Sequence, residues 1–231
     1  MIWLFVPLIA ATMLILGARS DDAATGLIAI GIVAEGIWAP ALWLLAAAGV
    51  GAGLTRVLQR GSGASTPALS LLQTWSLGIA GLLAIDLTLG LSGGLANAFA
   101  VRVLTGVLAV VGLWSFRGVR PTTIGIGLAA AIPLGTLFLA ATSTPGWLWG
   151  TEFGGYDALS YHLQLPREWW IAGAIIETPH NAYGYLPNGV EAAFLHVMAM
   201  IGDPAAAAVP CQLLVACLAV LAAGVTGEFA M

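Results

Sequence analysis

Apolar residues fill six long stretches of the chain, at positions 1–16, 26–50, 68–91, 95–116, 122–141 and 205–225, with short polar punctuation between them. A bilayer core of roughly 30 Å takes about 20 apolar residues at 1.5 Å each. Each stretch therefore reads as a membrane-crossing helix. The first is short, and Ala18-Arg19-Ser20 offers small residues for signal cleavage. It lacks a basic leading region, so the reading is a retained helix. Pro40, Pro133 and Pro210 fall inside apolar runs and are expected to kink or break them.

One stretch departs from this pattern. Between Ser143 and Asp203 lie six of the 11 acidic residues, all three histidines and all four tyrosines. Gly154-Gly155 breaks the chain, and 156–164 reads as a short helix. Asp157, Ser160, Tyr161, Gln164 and Glu168 recur at three- and four-residue steps and share a polar face. Leu159, Leu163 and Trp170 lie towards the other face. This predicts an amphipathic helix on the membrane surface, with Trp147, Trp149, Trp169 and Trp170 as interfacial anchors. Residues 181–188 read as a loop. The apolar run 190–201 is too short to span and is expected to dip into the interface or lie along it. Gly202-Asp203-Pro204 starts the last crossing.

The pattern thus predicts an all-α polytopic membrane protein, with about six transmembrane helices and two interfacial helices in one long outward loop. Residues 1–121 hold four spans. Residues 122–231 hold a span (122–141), the polar loop (143–203) and a final span (205–225).

Composition agrees. The chain is 60% hydrophobic and 8% charged, with a mean hydropathy of +0.97, whereas about a quarter of a soluble domain is charged. The net charge of −4, with no lysine at all, gives no footprint for nucleic-acid phosphates. Arginine placement sets the orientation: Arg56 and Arg60 fall in one short loop and Arg117 and Arg120 in another, two helices apart. Both loops read as cytoplasmic, so 143–203 faces outward. Glu35, Asp86 and Arg102 are charged residues inside apolar runs. Asp86 and Arg102 fall at nearly the same depth on adjacent antiparallel helices, which predicts a buried ion pair with Glu35 nearby; a proton or ion path is the alternative. The abundant glycines read as close helix packing. Cys211 and Cys217 face apart on one helix, which argues against a disulfide.

Glu152-Phe153-Gly154-Gly155-Tyr156-Asp157-Ala158-Leu159-Ser160-Tyr161-His162-Leu163 resembles the first outer loop of membrane glycosyltransferases with the GT-C fold, the polyprenyl-phosphate-sugar-dependent enzymes related to protein O-mannosyltransferases and aminoarabinose transferases. Arg167-Glu168-Trp169-Trp170 followed by Ala172-Gly173 is similar to the end of that family's first surface helix. The segment 185–191 is similar to the opening of the second, and Gly202-Asp203 to the turn that follows it. The resemblance covers roughly 122–225. It implies an integral protein of the bacterial inner (plasma) membrane that takes a sugar from a lipid-linked donor to an acceptor outside the cytoplasm. It makes Asp157 the catalytic base, as sugar transfer needs a carboxylate near the acceptor hydroxyl. His162 and Arg167 then contact the donor phosphate, Tyr161 and Asn188 orient the sugar, and Glu152 is a second acid or a ligand for a divalent cation. No tight metal-ligand spacing accompanies these residues. Glu191 and His196 read as solvated or packed, and His180 as a turn residue. The competing reading is a non-enzymatic membrane component, a transporter piece or assembly subunit using Glu35, Asp86 and Arg102.

Overall fold

The computed structural model describes residues 2–18, 25–61, 69–115, 130–143 and 157–229. Among these residues the protein is all-α, with nine helices: α1 Ile2–Gly17, α2 Thr25–Gly36, α3 Trp38–Gly61, α4 Leu71–Leu91, α5 Ala98–Ser115, α6 Ala131–Ala141, α7 Gln164–Ala172, α8 Gly189–Ile201 and α9 Ala208–Phe229. Four of them, α3, α4, α5 and α9, are long and apolar enough to cross a membrane; α1, α2, α6 and α8 are shorter apolar helices. The outer face of α5 leaves Phe99 (76%), Val110 (65%) and Trp114 (62%) exposed, a continuous apolar surface suited to lipid.

The run 26–50, expected as one span, is two helices that break at Ile37. Of the three in-run prolines, Pro40 does accompany a break in its run, three residues before it, and none of the three lies in the middle of a helix. Pro40, Pro133 and Pro210 are each the third residue of α3, α6 and α9. The first N–H groups of a helix have no partner within it, so proline loses no hydrogen bond there. These prolines mark helix starts.

α3 is the hub, packing most extensively on α5 and α4. Two glycine pairs set these approaches. A Cβ on Gly49 would strike the Leu108 carbonyl, and one on Gly112 the Leu45 carbonyl; Gly51 and Gly78 stand likewise against the carbonyls of Thr74 and Ala47. Backbones in contact at this range exclude any side chain.

α4 begins with a capping box: Ser70 Oγ accepts from the Gln73 N–H, and Gln73 Oε1 accepts from the Ser70 N–H, each at 3.1 Å. Ser70 Oγ also donates to Glu228 Oε2 at 2.6 Å, tying the start of α4 to the end of α9. At the opposite end of α4 the Ile175 N–H donates to the Gly90 carbonyl at 2.9 Å. The polar segment 157–188 therefore packs at the end away from Ser70 and Glu228. Arg56 and Arg60 ride on the last turns of α3 rather than in a loop.

α8, expected to dip into the interface or lie along it, forms the core of the bundle: all ten residues from Glu191 to Met200 are buried, against α3, α4, α5, α7 and α9. A helix that is apolar all round is buried on every face. Ala192, Ala193 and Ala199 let neighbours approach it closely.

Candidate functional site

The polar segment opens with Asp157, which has helical dihedrals (φ −61°, ψ −45°) and makes no side-chain capping bond. A π-turn follows over Ala158–His162, closed by the Leu163 N–H on the Ala158 carbonyl at 2.9 Å. Single π-turns inside helices recur at functional positions because they redirect side chains. α7 then packs down through Leu165, Pro166 and Trp169; of the apolar side expected from the sequence, Leu163 packs on the core while Leu159 and Trp170 are exposed. Trp169 Nε1 donates to the Ile176 carbonyl at 3.1 Å. The following loop grips the turn: Asn181 Nδ2 donates to the Ser160 carbonyl at 2.7 Å, and the Tyr161 ring stacks on Tyr183 at 4.3 Å.

His162 is held from two directions. Its Nδ1 lies 2.6 Å from Glu191 Oε1 at the start of α8, and the Tyr161 ring lies against it at 4.0 Å. An ionised carboxylate only accepts hydrogen bonds, so Nδ1 carries the proton of this contact and Nε2 is left for chemistry. Glu191 is almost sealed, with its side chain 6% exposed, while His162 is 41% exposed. Both line a groove of about 530 Å³ between α6, α8 and α9, whose other walls include Leu137, Phe194, Val215 and Ala216. Gln212 Nε2 pins the wall by donating to the carbonyls of Ala141 and Ser143, at 3.1 and 2.9 Å. The volume is that of a small-molecule site.

The other expected site residues are distributed around this groove. Asp157 is exposed at the head of the turn. Tyr161 is half-buried beside it; burial, then the carboxylates of Asp157 and Glu191, push its phenol above the ordinary 10. Asn188 donates from Nδ2 to the Gly184 carbonyl at 2.9 Å, so its amide braces the loop. Arg167 is exposed and lines a separate pocket with Leu159, Met198 and Pro204, apart from the His162 groove. Glu152 lies outside the described residues. His180, 65% exposed in its turn, pairs with Glu168 at 3.1 Å, and Gln164 Nε2 donates to the same carboxylate at 2.7 Å. Among the described residues no three His, Cys, Asp or Glu side chains gather as a metal-ligand set, and Cys211 and Cys217 are free.

The expected Asp86–Arg102 ion pair does not form. Arg102 instead caps α8, its Nε donating to the Met200 carbonyl at 2.7 Å and its Nη2 to that of Ile201 at 3.3 Å. Glu35 is exposed at the end of α2. Asp86 belongs to a buried chain. Trp43 Nε1 donates to its Oδ2 at 2.8 Å, its Oδ1 lies 2.6 Å from His196 Nδ1, and His196 Nε2 lies 2.7 Å from Thr105 Oγ1. The Thr105 hydroxyl also lies 2.7 Å from the Val101 carbonyl one turn back on α5. Carboxylate, imidazole and hydroxyl follow the order of a nucleophilic triad. Exposures of 0% for Asp86 and 1% for Thr105 and His196 seal it from any substrate. It is a cross-link of α3, α4, α5 and α8.

Sequence reasoning read Glu191 and His196 as solvated or packed; both are packed, and what it did not find was their partners. Their signal was the one available: two ionisable residues on a helix otherwise apolar all round must each find a buried partner.

Compared with known families, curated proteins and solved structures, the chain matches no family model, no curated protein and no solved structure.

Proposed function

We propose that the protein is a membrane glycosyltransferase of the GT-C kind, moving a sugar from a polyprenyl-phosphate donor to an acceptor on the outer face of a bacterial inner membrane. In this reading the chain crosses the membrane about six times, and the segment 157–188 lies at the outer surface. One observation carries the proposal: an apolar groove between α6, α8 and α9 is lined by an ionisable pair, Glu191 of α8 and His162 of the turn that opens with Asp157. A long-chain lipid fits the apolar walls, and its phosphate and sugar fall where the polar groups begin. Asp157, exposed and without a capping bond, takes the proton of an acceptor hydroxyl arriving from the aqueous side.

The test uses the full chain in lipid vesicles, supplied with radiolabelled polyprenyl-phosphate hexoses and pentoses and with envelope extract as acceptor. The expected result is transfer of label and release of polyprenyl phosphate, lost in Asp157→Asn with folding intact. Equal transfer by Asp157→Asn rejects the base assignment, and no transfer from any donor by the unaltered chain rejects the function.

A further inference from the structure

We infer that His162, aligned by Glu191, gives a proton to the phosphate as it leaves the sugar, an inference that rests on a lipid-linked donor occupying the groove. Asp157 and His162 stand differently towards that groove. His162 lines it and Asp157 does not. The donor's phosphate is joined directly to the chain that fills the apolar walls, so the leaving group sits on the His162 side. The acceptor comes from water, the side on which Asp157 is exposed.

The dyad is built for directed proton transfer. Glu191, on the first turn of the buried helix α8, fixes Nδ1 at 2.6 Å, and the Tyr161 ring, itself stacked on Tyr183, restrains the imidazole plane. This leaves Nε2 as the second nitrogen of a half-exposed ring that lines the groove. The titratable groups against His162 are Glu191 from α8 and, on its own turn, Tyr161; the Asp157 carboxylate acts on Tyr161. On α7, Arg167 lines another pocket and Glu168 is engaged by Gln164 and His180.

The step balances as follows. The acceptor oxygen forms a bond to the anomeric carbon and its proton passes to the Asp157 carboxylate. The bond from that carbon to the phosphate oxygen breaks, and its electron pair stays on the oxygen. That oxygen takes the proton from His162 Nε2. Water then returns a proton to His162 and removes the one on Asp157. His162 is a catalytic residue of this reaction, and Glu191 is a positioning residue that acts through it.

The experiment follows transfer by the full chain in vesicles across pH with two donors, a polyprenyl-phosphate sugar and its less basic phosphorothioate analogue. An acid must hold its proton, so the unaltered chain loses rate as pH rises. His162→Gln is expected to lose about 10²- to 10⁴-fold on the phosphate donor, to lose that alkaline fall, and to lose less on the phosphorothioate, whose less basic leaving group depends less on a proton. Glu191→Gln is expected to lower kcat with little change in KM, and Glu191→Asp to restore part of it. An unchanged pH profile in His162→Gln, or equal loss on both donors, overturns the inference while leaving the transferase reading intact. No transfer by the unaltered chain overturns both.

Discussion

His196 Nδ1 lies 2.6 Å from Asp86 Oδ1, joining residues 110 positions apart in the centre of the bundle. Neither side chain reaches solvent, and the pair holds α8 against α4 while Thr105 and Trp43 extend the grip to α5 and α3.

Breaking this chain at one member leaves a buried polar group without its partner. Asp86→Ala or His196→Ala is expected to cost about 3–5 kcal/mol, and Thr105→Val about 1 kcal/mol. Thermal unfolding in detergent gives the order. The double exchange Asp86→Arg with Arg102→Asp is expected to be worse than either single change, since Arg102 serves the α8 carbonyls and not Asp86. Recovery of stability in the double variant would restore the ion pair that the sequence suggested.

Glycine at the α3 crossings is a steric requirement. Gly78→Ala and Gly112→Ala place a Cβ against a backbone carbonyl of α3 and are expected to destabilise by about 1–3 kcal/mol. Gly53→Ala and Gly106→Ala meet nothing within 4 Å and are expected to be neutral or slightly stabilising, because alanine favours helix. Melting temperatures of the four variants settle this, and equal effects in all of them would contradict it.

Tyr161 provides a probe of the polar turn. Its phenol is raised by burial and by the Asp157 and Glu191 carboxylates. A raised value in the folded state favours the neutral phenol there, so this contribution to stability is fully present below pH 10 and is lost as pH climbs through the higher folded value. Ultraviolet difference titration, with Tyr161→Phe to assign the transition, is expected to place the midpoint above 10. Asp157→Asn is expected to bring it down. A midpoint that ignores Asp157 would separate the two residues.

Much of the fold is legible in hydropathy. The apolar runs behind α4, α5 and α9 appear where long helices form, and the Gly202-Asp203-Pro204 turn falls between α8 and α9 as expected. The break at Ile37 was hidden because Pro40 suggests a kink in one helix as readily as the start of another. Length alone could not show that α8 packs among the other helices. At 13 residues it is too short to cross, yet a helix surrounded by other helices has no need to. Of the candidate site, the sequence set the polar segment apart and predicted a short helix over 156–164, where the π-turn forms. It could not pair Glu191 with His162 or Asp86 with His196, because those contacts exist only after α8 is inserted, and Arg167, near His162 in sequence, lines a different pocket.

The most direct test is to map where the lipid chain lies. A polyprenyl phosphate carrying a photoreactive diazirine in its chain is crosslinked to the full protein in vesicles, and the labelled residues are read by mass spectrometry. The account predicts labels on the groove walls of α6, α8 and α9, at Leu137, Phe194 and Val215, reduced by excess unlabelled polyprenyl phosphate. It also predicts that Val215→Trp, which fills the groove, removes them. Labels confined to the exposed face of α5, at Phe99, Val110 and Trp114, and unaffected by competitor would contradict it.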